Sequence, residues 1–207
     1  MIFQPLKSSQ KYKITYILIA LNITFYIYGA IAGGNIFFTG QNVVQTLGQY
    51  NFLVLEHGYY YQLFTSMFIH ASIIHLGGNL IFLLIFGLRA EEMFSLPEYL
   101  GIYFLGGLTG NLLTLTYGLN YLSVGASGAI FAMLGACIIY DRKSTQQSII
   151  TALVFAFLIF IINMGVNVNI LAHLGGLIFG LIMGYILALK HQTNRGQYAI
   201  SYSYQVN

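Results

Sequence analysis

The sequence predicts an all-α membrane protein, a compact bundle of six transmembrane helices, and three observations carry that reading. Charged residues make up 6% of the 207 and hydrophobic residues 57%, where a soluble domain has about a quarter of its positions charged. Apolar runs long enough, or nearly long enough, to cross a bilayer occur at 14–33, 63–88, 99–118, 125–140, 148–166 and 170–189. Threading those six runs alternately through a membrane places every Lys and Arg on one face.

That third observation also orients the chain. Lys7, Lys11 and Lys13 precede the first run, Arg89 follows the second, Arg142 and Lys143 the fourth, and Lys190 and Arg195 the sixth. Cytoplasmic loops collect such residues, so both termini are expected in the cytoplasm and the cell membrane is the expected location. The opposite face holds no Lys or Arg, and its acidic residue is Glu56. One missed or extra crossing would scatter this pattern.

Taken in order, residues 1–13 read as a cytoplasmic segment and 14–190 as the membrane domain. The first run has an alternative reading as a cleaved signal peptide, because Ala30-Ile31-Ala32 imitates a cleavage site, although the run is long for a signal-peptide core. Residues 35–61 form a mixed stretch suited to a structured interfacial loop, with Tyr59, Tyr60 and Tyr61 at headgroup level. The tail, 191–207, is polar, Tyr-rich and expected to be disordered. Eight scattered basic residues make no stripe for nucleic acid. A single cysteine, Cys137, allows neither a disulfide framework nor a cysteine metal site.

Ionisable side chains within a bilayer are expensive and point to function. Counting from the charged helix ends at 1.5 Å per residue puts His75 and Ser127 each about 21 Å up and His173 about 25 Å up. Asn79 shares a helical face with His75, four residues on. His70 is rotated by about 140° from His75 on a continuous helix, which suggests a histidine tying the outer loop to the helix top instead of a member of the cluster. Serine needs a base to become a nucleophile, and imidazole suits that task near neutral pH. Ser127 and His173 are the natural pair, with His75, the Asn79 amide and the Ser127 backbone N–H as donors to a tetrahedral oxyanion. No Asp or Glu lies at this depth, so a dyad is the simpler proposal than a triad.

Small residues explain how the pair could meet. Gly176, Gly180 and Gly184 repeat every fourth residue on the sixth run, as Gly128, Ala132 and Ala136 do on the fourth, giving two faces for close helix contact.

At these residues the sequence resembles the rhomboid family of intramembrane serine proteases. The matching elements are HASIIHLGGN from His70 to Asn79, GASG from Gly125 to Gly128, and AHLGG from Ala172 to Gly176 with Gly180 beyond it. With the six-helix layout the resemblance covers about 14–190. It implies Ser127 as nucleophile, His173 as general base and acid, and an oxyanion site of His75, Asn79 and the Ser127 N–H, with Gly125 shaping the turn. It also implies a short fourth helix that begins in mid-membrane at the floor of a water-filled cavity open to the outer side. The implied substrates are single-pass membrane proteins, locally unwound and cut near the outer end of their span, with no cofactor or metal.

Two departures stand out. Tyr61-Gln62 replaces the Trp-Arg pair that many relatives carry in the first outer loop, and Phe131 stands where many have tyrosine. A phenyl ring still packs on the His173 imidazole but brings no hydroxyl. A hydrated pocket is expected to be lined by Ser66, His70, His75, Asn79, Ser127, Asn167 and Asn169. Zinc chemistry would want His-Glu-x-x-His, which is absent, and an aspartyl mechanism needs two buried Asp where the chain has only Asp141, at the cytoplasmic edge. The competing functions are a catalytically silent rhomboid-like protein that binds client helices, and a channel or transporter with His75 and His173 as a proton relay.

Overall fold

The computed structural model describes residues 13–145, 148–162 and 168–205, with only the backbone described at 160–162 and 193–205. The helices in chain order are α1 (Lys13–Gly33), α2 (Gln41–Leu47), α3 (Asn51–His57), α4 (Gln62–Thr65), α5 (Ile73–Met93), α6 (Leu96–Thr114), α7 (Ser127–Ser144), α8 (Ile149–Ile162) and α9 (Ile170–Gln205). Six of them, α1 and α5 to α9, stand at the six apolar runs. Of these, α1, α5 and Ile170–Gln192 of α9 are by themselves long and apolar enough to cross a membrane.

The architecture is an all-α membrane fold wrapped around α7. Every residue from Gly128 to Cys137 is buried, as expected for a helix apolar on all sides. By contrast α1, α5 and α8 turn large apolar side chains outward: Ile31 is 76% exposed, Ile74 84% and Phe157 60%. Apolar surface of that extent belongs against lipid, since soluble monomers rarely expose contiguous patches beyond a few hundred Å².

The expected glycine faces meet residue by residue. A Cβ on Gly176 would overlap the Gly128 carbonyl, one on Gly180 the Ala132 carbonyl, and one on Gly184 the Ala136 carbonyl. Backbones this close gain dispersion along their whole length. A third helix, α6, joins them through Gly110, whose Cβ would meet the Ala172 carbonyl of α9.

Charge is gathered at one end of the bundle. Arg89 bridges Glu92 at 2.8 Å and Asp141 at 3.1 Å, while Glu98 receives Lys190 at 3.1 Å and His191 at 3.2 Å. The Thr15 N–H donates to Glu91 at 2.6 Å, and Gln192 Nε2 donates to the Lys143 carbonyl at 2.9 Å. These contacts tie the start of α1, the end of α5, the start of α6, the end of α7 and the far part of α9 into one layer.

The opposite end is built from the segment between α1 and α5. Residues 35–61 hold α2, α3 and the strand β1 (Gln49–Tyr50), which pairs antiparallel with β2 (Leu122–Ser123), Gln49 opposite Ser123. Buried amides hold it down. Gln62 Nε2 donates to the Gln45 and Thr46 carbonyls, each at 3.0 Å, and its Oε1 accepts the Tyr50 N–H at 3.0 Å. Asn111 Nδ2 donates to the Leu63 carbonyl at 2.7 Å and to Ser66 Oγ at 3.1 Å.

Two expectations change. The 63–88 run is not one helix: α4 gives way to a 3-10 turn at Ser66–Phe68, and α5 begins only at Ile73, after Ser72 caps it. The segment expected to be a disordered tail has a helical backbone to Gln205, continuous with α9. The segment 1–12 and Asn167 lie outside the described residues.

Candidate active site

Ser127 is the first residue of α7, preceded by a turn that only glycine can make. Gly125 has φ +126°, and a Cβ there would stand 2.8 Å from His75 Nε2; both facts exclude a side chain. The turn is held from two sides. The Gly125 N–H donates to the Ser66 carbonyl at 2.9 Å, and Ser123, two residues earlier, lies in β2 opposite Gln49. Because Ala126 supplies no capping side chain, the first N–H groups of α7 keep their donor capacity at the positive end of the helix dipole.

His75 sits in the first turn of α5. Its N–H donates to Ser72 Oγ at 3.2 Å, and Asn79, one turn on, donates from Nδ2 to the His75 carbonyl at 3.2 Å. Both face the turn that carries Ser127, since the Cβ position of Gly125 lies 3.6 Å from Asn79 Nδ2.

His70 differs from its expected placement. It precedes α5, so counting helical angle from His75 does not apply, and its ring meets the His75 ring edge-on with centroids 5.1 Å apart. Its carbonyl accepts from Thr39 Oγ1 at 2.6 Å, so the link to the outer loop runs through the backbone. The ring is fully buried.

His173 sits in the first turn of α9. Asn169 precedes that helix and accepts the Ala172 N–H on Oδ1 at 2.9 Å. The Phe131 ring stacks on the imidazole, with centroids 4.3 Å apart and planes 20° apart. Gly128 and Ala172, the immediate neighbours of Ser127 and His173, are in contact: a Cβ on Gly128 would lie 3.2 Å from the Ala172 carbonyl oxygen.

Ser127, His173, His75 and Asn79 line one cavity of about 740 Å³, together with Ser72, Ser123, Asn169 and apolar groups such as Phe82 and Phe131. Ser66 and His70, expected in its wall, are instead buried behind it. Among the described residues no hydrogen bond joins Ser127 to His173, and no cluster of three His, Cys, Asp or Glu side chains is arranged to hold a metal ion. Sequence reasoning placed Asn169 in the pocket but missed its capping role. An Asn directly before an apolar helical run was the available signal.

The Rhomboid domain family model matches residues 57–190, which contain all of these groups. The chain belongs to the rhomboid family. This rhomboid is 33% identical over 150 residues to RHOMBOID-like protein 6, mitochondrial, of Arabidopsis thaliana, covering 70% of the chain and 49% of the relative. It is 32% identical over 195 residues to Rhomboid protease GluP of Bacillus subtilis, covering 90% of the chain and 37% of the relative. Similarity to Putative rhomboid protease YdcA of the same bacterium is 34% over 155 residues, covering 71% and 76%. The rhomboid chain thus spans about half or less of the first two relatives. Two of the three names include protease, and the third says only rhomboid-like.

Proposed function

We propose that this rhomboid is an intramembrane serine endopeptidase that hydrolyses peptide bonds within or near the outer end of transmembrane helices of single-pass membrane proteins, using a Ser127–His173 dyad. The observation that carries this is the contact between Gly128 and Ala172, which sets the residues beside them at adjoining helix starts on one cavity. Nucleophile–base hydrogen bonds often form fully only in the substrate complex, so their separation in the free protein is compatible with the role. In this reading six helices cross the cell membrane, both termini are cytoplasmic, and the cavity opens to the outer side.

The chemistry follows from these positions. Ser127 Oγ attacks the scissile carbonyl carbon as its proton passes to the imidazole of His173. The oxyanion gathers hydrogen bonds from the Ser127 N–H, the Asn79 amide and His75, fixed donors of the kind worth about 10²–10³ in rate each. His173 then gives its proton to the leaving amine as the peptide C–N bond breaks. Water, deprotonated by the same imidazole, hydrolyses the acyl-serine and restores the hydroxyl. Each step uses only protein groups and water.

The test is cleavage of a model transmembrane helix by the purified chain, with the cut mapped by mass spectrometry, alongside labelling by a serine-directed fluorophosphonate. Ser127→Ala abolishes labelling, and Ser127→Ala and His173→Ala each lower kcat/KM by about 10³-fold or more, as expected for partners acting as a unit. A wild-type chain that neither cleaves nor labels would point to a catalytically silent client-binding rhomboid. Proton flux in liposomes that survives Ser127→Ala would point to a relay.

A further inference from the structure

We infer that Asn169 is a positioning residue for the reaction: its one amide group sets the start of the imidazole helix against the strand that leads into the serine turn. The inference rests on the protease reading above. Asn169 Nδ2 donates to Ser123 Oγ at 2.7 Å and to Thr114 Oγ1 at 2.8 Å, while Oδ1 accepts the Ala172 N–H at 2.9 Å. Both amide hydrogens and one lone pair are therefore used. The orientation of the amide is settled by chemistry, because the Ala172 N–H can only donate and so requires the oxygen.

Three elements meet at this side chain. Ala172 immediately precedes His173, and the His173 N–H itself donates to the Asn169 carbonyl at 3.2 Å, so the first turn of α9 is pinned by Asn169 through both side chain and backbone. Ser123 lies four residues before Ser127 and is fixed by its pairing with Gln49 in β1. Thr114 ends α6, its hydroxyl donating to the Gly110 carbonyl at 2.9 Å and its own carbonyl accepting Asn51 Nδ2 at 3.0 Å.

A helix cap needs only the Oδ1 bond. The two donor bonds are surplus to capping, and both end on the frame that holds the serine. They oppose sliding of the α9 start along α7, where the facing Gly128, Ala132, Ala136 and Gly176, Gly180, Gly184 carry nothing larger than a methyl. Displacing a reacting group by about 1 Å costs about 10²-fold in rate, so a tie at this place acts on turnover more than on substrate binding.

The test uses the full chain in detergent with four variants: Asn169→Ala, Asn169→Ser, Ser123→Ala, and Ser123→Ala combined with Asn169→Ala. Asn169→Ser keeps a capping oxygen but is too short to span to Ser123 and Thr114. Asn169→Ala and Asn169→Ser are each expected to lower kcat about 10- to 100-fold with KM within about twofold, the serine variant unfolding at the wild-type temperature. The double variant is expected to be no slower than Asn169→Ala, as groups sharing one interaction are non-additive. Wild-type kcat in Asn169→Ser, or losses that multiply in the double variant, overturns the inference, and should Asn169→Ala fail to fold, the serine and Ser123 variants still decide it. Failure of the protease reading looks different, with the wild type itself inert. The His173 imidazole nitrogen resonances then read the tie directly, moving in Asn169→Ser if Asn169 sets the ring and staying in place if it does not.

Discussion

The Phe131 ring lies flat on the His173 imidazole, 4.3 Å between centroids and 20° between planes. Phe131 stands one turn after Ser127 on α7 and His173 in the first turn of α9, helices packed closely through small residues, so the stack limits ring rotation at the proposed base. An aromatic pair contributes about 0.5–1.5 kcal/mol beyond its buried area. Phe131→Leu is accordingly expected to slow fluorophosphonate labelling of Ser127 about three- to tenfold, with Phe131→Tyr within about twofold of wild type. Equal labelling by Phe131→Leu removes the stack from the account.

The turn before Ser127 makes a sharper demand. Gly125→Ala forces a side chain into φ +126° and sets a methyl 2.8 Å from His75 Nε2. Strained backbone of this type costs about 1–3 kcal/mol. A fall of about tenfold or more in labelling rate is expected, measured on protein whose circular dichroism matches wild type.

Glycines on different faces should respond in opposite ways. Gly176→Ala drives a methyl onto the Gly128 carbonyl, whereas Gly77 has no heavy atom within 4 Å of its Cβ position. Overpacking costs about 1–3 kcal/mol, while alanine gains up to about 1 kcal/mol over glycine inside a helix. Thermal unfolding in detergent is expected to show Gly176→Ala melting below wild type and Gly77→Ala at or above it.

The charged layer predicts a dependence on acid. Burial alone would raise the Glu98 carboxyl, but hydrogen bonds from the Ser95 N–H and hydroxyl, from Lys190 and from His191 outweigh it and hold the group down at about 2. A group depressed on folding stabilises the fold fully above its unfolded pKa, about 4.3, and loses that contribution as pH falls toward 2. Wild-type stability should therefore decline between about pH 4.5 and 2, and Glu98→Gln should be less stable near neutrality with a shallower decline in acid. Parallel pH profiles for the two would show that Glu98 carries no such linkage.

The helical membrane fold was legible because apolar runs and one-sided charge are properties of composition and order. The α7–α9 interface was legible for a similar reason: Gly128, Ala132 and Ala136 and their partners Gly176, Gly180 and Gly184 repeat at helical spacing. His70 was misplaced because an apolar run does not show where a helix begins, and Ser72, whose hydroxyl caps α5, sits inside that run. The segment between α1 and α5 resisted reading for a different reason. Gln49, Asn51 and Gln62 are buried and hydrogen-bonded there, and Gln49 and Asn51 find their acceptors at Asn111 and Thr114, beyond any local pattern. Tyr61-Gln62 thus departs from the family pair without leaving a gap, since Gln62 ties down the Gln45–Thr46 backbone and Tyr61 OH donates to the Thr46 carbonyl at 3.1 Å.

The complete enclosure of Gly128–Cys137 carries a mechanical consequence. Thickening or thinning of the surrounding lipid pushes first on the outward side chains of α1, α5 and α8, while the segment behind Ser127 feels only its protein neighbours. Ser127, the proposed nucleophile, is in effect suspended from an internal pillar, set apart from the elastic stresses its host membrane imposes.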